Sequence, residues 1–165
     1  MDERMEALLK KRAERYARPP EQKKEDTSIG TFLGCGIGNI RIGIPSEMVL
    51  ECSALTHWTP FSGRKYLLGL THLRGDVMSL IDLLEAVAGH PSGKCLNMAV
   101  LQGSGGRFAV PIQEVLGLRV VEMGELLLQE QTPINSPLIF AATRDLWFLL
   151  NDQLLNSLSN LAGGT

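Results

Sequence analysis

The sequence predicts a mainly β protein in which a small β unit occurs twice and each copy leads into a short helix. Three observations support this class: apolar runs too short for helices, turn residues between the runs, and an internal repeat. The clearest unit is YLLGLTHLRGDVMSLIDLLEAVAG, at residues 66–89. The rest of the chain repeats this unit or completes it.

The unit begins with two apolar runs, Leu67–Leu73 and Val77–Ile81, separated by the sequence Arg-Gly-Asp. Runs of this length between glycine-containing breaks are typical of buried strands, so they predict a β-hairpin that turns at Gly75-Asp76. Asp82 then precedes the helix-forming run Leu83–Ala88. A carboxylate at an N-cap accepts hydrogen bonds from the free N–H groups of the first turn. A capped short helix is therefore expected after the hairpin.

Composition limits the class of protein. The 165 residues are 44% hydrophobic and 21% charged, close to the average for globular domains. A net charge of −2 gives no electrostatic reason to expect a nucleic acid or an anionic membrane as partner. Three cysteines without CxxC spacing and a highly charged start, MDERMEALLKK, predict a reduced, cytoplasmic chain without membrane insertion.

The N-terminal segment, residues 1–28, differs from the rest of the chain in its charge. It carries half of the Lys and Arg residues, and its apolar residues recur at helical spacing from Asp2 to Ala17. Pro19-Pro20 ends that pattern, and the charged run EQKKED follows. We expect a charged helix and a linker, which either stay solvated or dock on the body or on a partner.

Strand signals begin after the linker. Ile29–Cys35 and Ile40–Ile44 are joined by a Gly/Asn-rich turn, and Val49–Leu55 forms a third apolar run after a single helical turn. Residues 57–63, HWTPFSG, are predicted to form a loop that leads to the hairpin. A further strand is expected at Leu96–Gln102.

The internal repeat relates the two halves of the chain. Residues 107–116, RFAVPIQEVL, align with residues 41–50, RIGIPSEMVL, and FLLN at residues 148–151 aligns with SLID at residues 79–82. Asn151 thus takes the place of Asp82, and Asn is an equally good N-cap. Units of about 65 residues bury little apolar surface alone, so the two copies are expected to pack together.

Three sequence patterns resemble binding or catalytic motifs, but each lacks the neighbouring residues or elements that its motif requires. Gly34-Cys35-Gly36 begins a dinucleotide fingerprint, but a strand and not a helix follows it. The three histidines lack the spacing of metal ligands on a helix, and no nucleophile elbow surrounds Ser79. The sequence therefore predicts no catalytic residue, no cofactor and no metal site. Arg74, by contrast, lies in an apolar hairpin without an evident structural partner, and arginine is favoured at protein interfaces.

Residues Leu68 to Leu83, which include the sequence GLTHLRGDVMSLIDL, resemble the signature of the CheW-type coupling proteins of bacterial chemotaxis. The resemblance extends over about Ile29 to Leu161, with His72 and Ser79 where the signature usually has Asn and Pro. It implies two SH3-like five-stranded β-barrel subdomains with short helices. The CheW-like domain would span 29–165, with a first copy at about 29–92, a second at about 93–150 and a C-terminal helix at about 151–161.

The resemblance also implies a function. CheW-type proteins are non-catalytic adaptors that bind the cytoplasmic tip of a chemoreceptor and the regulatory domain of a CheA-type histidine kinase. Carried over by position, Arg74 is the receptor-contact arginine, with Val49 and Glu51 near the same groove. Gly69, Gly75, Asp82 and Asn151 are expected to have structural roles. The alternatives are an auxiliary scaffold of a non-motility chemosensory pathway and, in another class, a small hydrolase that uses His72 and Ser79.

Overall fold

The computed structural model describes residues 27–61 and 63–163, and most of its regular elements are strands. The strands are β1 (Ser28–Ile37), β2 (Ile40–Pro45), β3 (Val49–Ala54), β4 (Trp58–Pro60), β5 (Leu67–Leu73), β6 (Asp76–Ile81), β7 (Asn97–Gly103), β8 (Gly106–Ile112), β9 (Glu114–Glu122), β10 (Ile139–Ala142) and β11 (Trp147–Leu150). The α-helices are α1 (Leu83–Ala88) and α2 (Asp152–Gly163), with 3₁₀ turns at Ser46–Met48, Met123–Glu125 and Gln129–Gln131. The mainly β class is confirmed. The helix expected at Asp2–Ala17 lies outside the described residues.

The chain divides into two compact units. Of the described residues, 27–30 and 120–125 belong to one unit, and 31–61, 63–119 and 126–163 belong to the other. In the first, the Thr27 hydroxyl donates to the Glu122 carboxylate, and the Glu122 N–H donates to the Glu125 carboxylate over 3.0 Å. The second unit holds the two hydrophobic clusters and all the predicted site residues.

Two sheets form the body of the protein. One has five strands in the order β10-β11-β2-β1-β9, and the other has six in the order β3-β7-β8-β6-β5-β4. Strands within each hairpin are antiparallel, whereas β2 with β11 and β6 with β8 are parallel pairs. Among the described residues no pairing joins the two edge strands of either sheet, so the five-stranded barrels expected from the resemblance are open sheets here.

Each sheet takes strands from both sequence copies. The hairpin β1–β2 of the first copy joins β9, β10 and β11 of the second, while β7–β8 of the second copy joins β3 to β6 of the first. The register of the parallel pairs is the same in both sheets: Leu149 lies opposite Gly43, and the aligned Leu80 lies opposite Ala109. The division at about residue 92 thus describes the repeated sequence, and the two copies have exchanged hairpins in space.

Strand β4, at one edge of the six-stranded sheet, lies within residues 57–63, which we expected to form a loop. It pairs with β5, with Trp58 opposite Thr71 and Pro60 opposite Gly69. A Cβ atom at Gly69 would overlap the carbonyl oxygen of Thr59, so only glycine allows β4 to approach this closely. A strand of three residues leaves too little periodic pattern to be predicted from the sequence.

The main core receives side chains from both sheets and both helices. Its members are fully or almost fully buried: Leu33, Cys35, Ile37, Ile42, Ile44, Met48, Ile81, Leu83, Leu84, Val87, Ala99, Leu101, Phe108, Val110, Ile112, Leu138, Leu150, Leu155 and Leu158. Alternate residues of β6, β7 and β8 point to the opposite face of the six-stranded sheet and form a second cluster of Met78, Leu80, Met98, Val100 and Ala109. The six-stranded sheet is thus apolar on both faces.

Helix α1 begins at a buried cap. Asp82 is 1% exposed, and its carboxylate accepts hydrogen bonds from the N–H of Glu85 at 3.2 Å and of Ser92 at 3.1 Å. Gly89 ends the helix in the left-handed conformation with φ of 87°. At the start of α2, the Asn151 side chain accepts a hydrogen bond from the Gln153 N–H at 2.9 Å. Within residues 27–61 and 63–163, neither helix is long and apolar enough to span a membrane.

Candidate functional site

The β5–β6 hairpin presents Arg74 at its tip. Leu73 lies opposite Asp76, so the turn residues are Arg74 and Gly75, with φ of 53° and 88°. Two positive φ values match a type I′ turn, which suits the right-handed twist of a hairpin. The turn predicted at Gly75-Asp76 is therefore wrong by one residue, because Asp76 pairs within β6. A left-handed arginine costs about 1 kcal/mol, and such local strain often occurs at functional positions.

Arg74 forms an ion pair with Glu51 of β3. The guanidinium Nη1 donates to Glu51 Oε2, and the Ser53 hydroxyl donates to Glu51 Oε1 over 3.3 Å. β3 lies at one edge of the six-stranded sheet, three strands away from β6. The sheet must therefore curl for the hairpin tip to reach β3. The expectation that Arg74 has no structural partner is wrong.

Val49 and Glu51 lie on β3, where side chains alternate between half-buried and exposed. Val49, Glu51 and Ser53 belong to the half-buried set, although an irregularity in the pairing with β7 separates Val49 from Glu51. Val49 packs against the main core. The structure thus joins Arg74 to Glu51 directly, and it places Val49 two residues before Glu51 on the same strand.

The ion pair keeps both of its groups charged. The hydrogen bond from Arg74 lowers the pKa of Glu51, and the same bond raises the pKa of Arg74. The Arg74 side chain is still 71% exposed, compared with 29% for Glu51. Beside it, Arg107 of β8 donates to the Asp76 carboxylate over 2.9 Å. The hairpin tip therefore holds an oriented guanidinium with much of its surface open to solvent.

An apolar surface continues from the tip along the outer face of the hairpin. Val77 is 70% exposed and lies opposite the exposed His72, and Leu70 of the same face is 40% exposed. An oriented arginine beside exposed aliphatic side chains is suited to protein recognition. We use the name tip surface for Arg74, Val77, His72 and Leu70.

The side chains that could act in catalysis, Asp82 and the three cysteines, are either hydrogen-bonded to the backbone or made less reactive by burial. Both oxygens of Asp82 accept backbone hydrogen bonds, and burial raises the pKa of the Cys35 thiol to about 12. Burial also raises the pKa of Cys52 and of Cys95. In the part of the chain that the structure describes, no three His, Cys, Asp or Glu residues are grouped so that they could hold a metal ion.

The glycines of the signature have geometric roles in the same hairpin. Gly69 makes room for β4, and Gly75 supplies the second left-handed residue of the turn. The sequence predicts a turn that includes Gly75 and structural roles for both glycines, but the close approach of β4 at Gly69 could not be predicted because it depends on a neighbouring strand.

The chain is similar to known proteins in sequence and in fold. The family model of the CheW-like domain matches residues 31–157. The protein FrzA of Myxococcus xanthus is 29% identical over 99 residues, which cover 58% of this chain and 62% of FrzA, so the matched region spans less than two thirds of that relative. The crystal structure of the scaffolding protein TtCheW from Thermoanaerobacter tengcongensis superposes with a TM-score of 0.62 at 15% identity, covering 74% of this chain and 84% of TtCheW. The chain therefore belongs to the CheW-like domain family, a family of non-catalytic scaffolds of chemotaxis-type signalling.

Proposed function

We propose that this protein couples the cytoplasmic tip of a chemoreceptor to the regulatory domain of a CheA-type histidine kinase. The observation that carries the proposal is the exposed, ion-paired Arg74 at the hairpin tip. Arg74 and Glu51 match positions at which the family resemblance implies receptor contacts. The protein acts in the cytoplasm, by binding two partners and without a chemical reaction.

The geometry of the hairpin supports a receptor contact at Arg74. An arginine that is already oriented loses less side-chain entropy on binding than a free one, and arginine is enriched among hot spots. Glu51 supplies this orientation and leaves most of the Arg74 side chain exposed. The exposed Val77 adds apolar area next to the charge. A helical receptor tip with acidic and aliphatic side chains is the partner that fits this surface.

A separate surface of the same sheet supports kinase binding. Leu55, Trp58, Leu68 and Leu96 contribute to the lining of a cavity of about 200 Å³. Leu96 precedes the first residue of β7, whereas Arg107, which contacts the hairpin tip through Asp76, lies opposite Gln102 near the end of β7. The cavity and the tip surface therefore lie towards opposite ends of β7. Two partners could bind there without competing for the same side chains.

The test compares charge reversal in the two related hairpins. Arg74→Glu should weaken binding to a receptor-tip fragment by about 2 kcal/mol or more, the loss typical of a hot spot. Arg144→Glu is the matched control, because Arg144 is an exposed arginine in the β10–β11 turn. It should leave the affinity unchanged. Binding is measured by calorimetry after circular dichroism has shown that both variants are folded.

A charge-swapped variant separates a direct contact from a structural ion pair. Arg74→Glu combined with Glu51→Arg restores opposite charges at the two positions. If Arg74 contacts the receptor directly, this double variant still binds weakly. Full recovery of affinity would show that only the ion pair is needed, and unchanged affinity of Arg74→Glu would refute the receptor assignment. The same experiment tests the alternative function, an auxiliary scaffold of a non-motility chemosensory pathway, because that scaffold would also bind a receptor.

The hydrolase alternative is wrong, because CheW-like domains are non-catalytic scaffolds. The structure also gives the residues considered for it other positions. His72 lies opposite Val77 on the exposed face of the hairpin, and the half-buried Ser79 lies opposite Leu70.

A further inference from the structure

Two histidines that are distant in sequence lie side by side on the six-stranded sheet. His57 comes directly before β4, and His72 lies on β5. Because Trp58 pairs with Thr71, the next position along the two strands brings His57 next to His72. Their ring centroids are 6.3 Å apart and their planes differ by 17°. Both residues are exposed.

The hydrogen bonding of His57 suits a metal ligand. Its Nδ1 lies 3.1 Å from the Thr56 hydroxyl oxygen. In the tautomer in which Nδ1–H donates to this hydroxyl, Nε2 carries a free lone pair. Histidines that bind metals usually donate the other ring N–H in this way, which fixes the tautomer and the orientation of the ring.

We propose that His57 and His72 form a two-histidine site for a divalent transition-metal ion. Imidazole nitrogen is a preferred ligand of Zn²⁺, Cu²⁺ and Ni²⁺. The ring centroids are close enough that rotation about the side-chain torsions can bring Nε2 of each ring to the usual distance of about 2.1 Å from one ion. No group of three ligand-type side chains occurs within residues 27–61 and 63–163, so water or a bound partner completes the coordination.

The position of the pair gives the site a consequence for binding. His72 belongs to the tip surface and lies two residues before Arg74. An ion held there adds positive charge next to the guanidinium, and its open coordination positions can accept a carboxylate from a partner protein. The metal site does not depend on the proposed coupling function, because its ligands both come from this chain.

Zinc titration of the full chain tests the proposal. Calorimetry with Zn²⁺ should show a site that loses more than tenfold in affinity in His57→Asn and in His72→Asn, because loss of a ligand costs at least as much as loss of an outer-shell partner, about 10–100-fold. His90→Asn is the matched control, since His90 is an exposed histidine in the loop after α1, and it should bind Zn²⁺ like the wild type. Thr56→Val should weaken binding less than loss of a ligand.

Nuclear magnetic resonance of the histidine ring nitrogens identifies the ligands directly. Zn²⁺ should shift the Nε2 signals of His57 and His72 and leave those of His90 unchanged. Unfolding by urea checks that the variants keep the stability of the wild type. Wild-type affinity in either ligand variant, or zinc-induced shifts confined to other residues, would overturn the proposal. Competition by cysteines is checked in the variant Cys52→Ser/Cys95→Ser, which should bind Zn²⁺ with unchanged affinity.

Discussion

The five-stranded and six-stranded sheets are built from equivalent strands but fill their interiors differently. The shared register makes Trp147 the counterpart of Met78, and Gly34 the counterpart of Val100. A Cβ atom at Gly34 would overlap the Trp147 ring, whereas Val100 packs in one cluster with Met78. The five-stranded sheet therefore fills this position with one large side chain against a glycine, and the six-stranded sheet fills it with two side chains of intermediate size. Because each sheet contains strands from both sequence copies, equivalent residues in the two sheets come from different halves of the chain.

The two sheets also differ in the ion pair at their hairpin tips. In the six-stranded sheet the turn supplies the cation, Arg74, and β3 supplies the anion, Glu51. In the five-stranded sheet β9 supplies the cation, Arg119, and the turn supplies the anion, Asp145, at 3.0 Å. Arg119 also lies 4.8 Å over the Trp147 ring, and its side chain is only 23% exposed. Similar ion pairs thus leave Arg119 packed on a neighbouring side chain, whereas Arg74 is 71% exposed and available to a partner.

The two hairpins also differ in length. Both hairpins have an irregularity at the same place, after which Gly69 lies opposite Leu80 and Ala141 opposite Leu149. The chain between these partners is three residues longer in the β5–β6 hairpin than in the β10–β11 hairpin. Its tip therefore extends further from the sheet. The extra length carries Arg74, to which we assign receptor binding.

The largest expected loss of stability comes from giving the five-stranded sheet the valine that the six-stranded sheet has at the equivalent position. Gly34→Val should lower the free energy of unfolding by about 3 kcal/mol, because the new side chain overlaps Trp147 in a close-packed interior. The measurement is urea denaturation followed by circular dichroism.

A second substitution sharpens this comparison. Gly34→Val combined with Trp147→Met copies the pair Val100 and Met78 into the five-stranded sheet, and it should recover most of the lost stability. If the double variant is less stable than Gly34→Val alone, the two interiors are not equivalent and the compensation that we describe is wrong.

The next effect compares the two helix caps. Asp82→Ala should cost about 2 kcal/mol, because the buried carboxylate accepts from two backbone N–H groups, one of which belongs to the buried Ser92. Asn151→Ala should cost about 1 kcal/mol, the usual value for an N-cap, because Asn151 is only half-buried. Chemical denaturation of both variants measures the difference. Equal losses would show that burial of the Asp82 cap adds nothing.

The smallest effect concerns the exposed ion pair. Arg74→Gln should raise the pKa of Glu51 towards its ordinary value, because it removes the hydrogen bond that lowers this pKa. Since the pKa is lowered in the folded protein, the pair stabilises the fold above the ordinary glutamate pKa, and its contribution disappears as the pH falls through the lowered value. Carbon-13 titration of the Glu51 carboxylate measures the change. Asp145 should keep its lowered pKa in this variant, since the Thr143 hydroxyl and Arg119 cause it.

Local signals predicted the elements but not their arrangement. The run Leu67–Leu73 and the cap at Asp82 were readable because strand periodicity and N-capping depend on adjacent residues. The exchange of hairpins between the copies was not readable, because similar copies offer similar pairing edges. Neither the Arg74–Glu51 pair nor the approach of His57 to His72 could be predicted, since each depends on the curl or pairing of strands.

Formation of a ternary complex tests the central claim most directly. The tip surface and the cavity near Leu96 lie towards opposite ends of β7, so the two partners would contact different side chains. The measurement is gel filtration with light scattering of this protein, a CheA-type regulatory domain and a receptor-tip fragment. We predict one complex that contains all three, from which Arg74→Glu removes only the receptor fragment. Displacement of one partner by the other would contradict the coupling function.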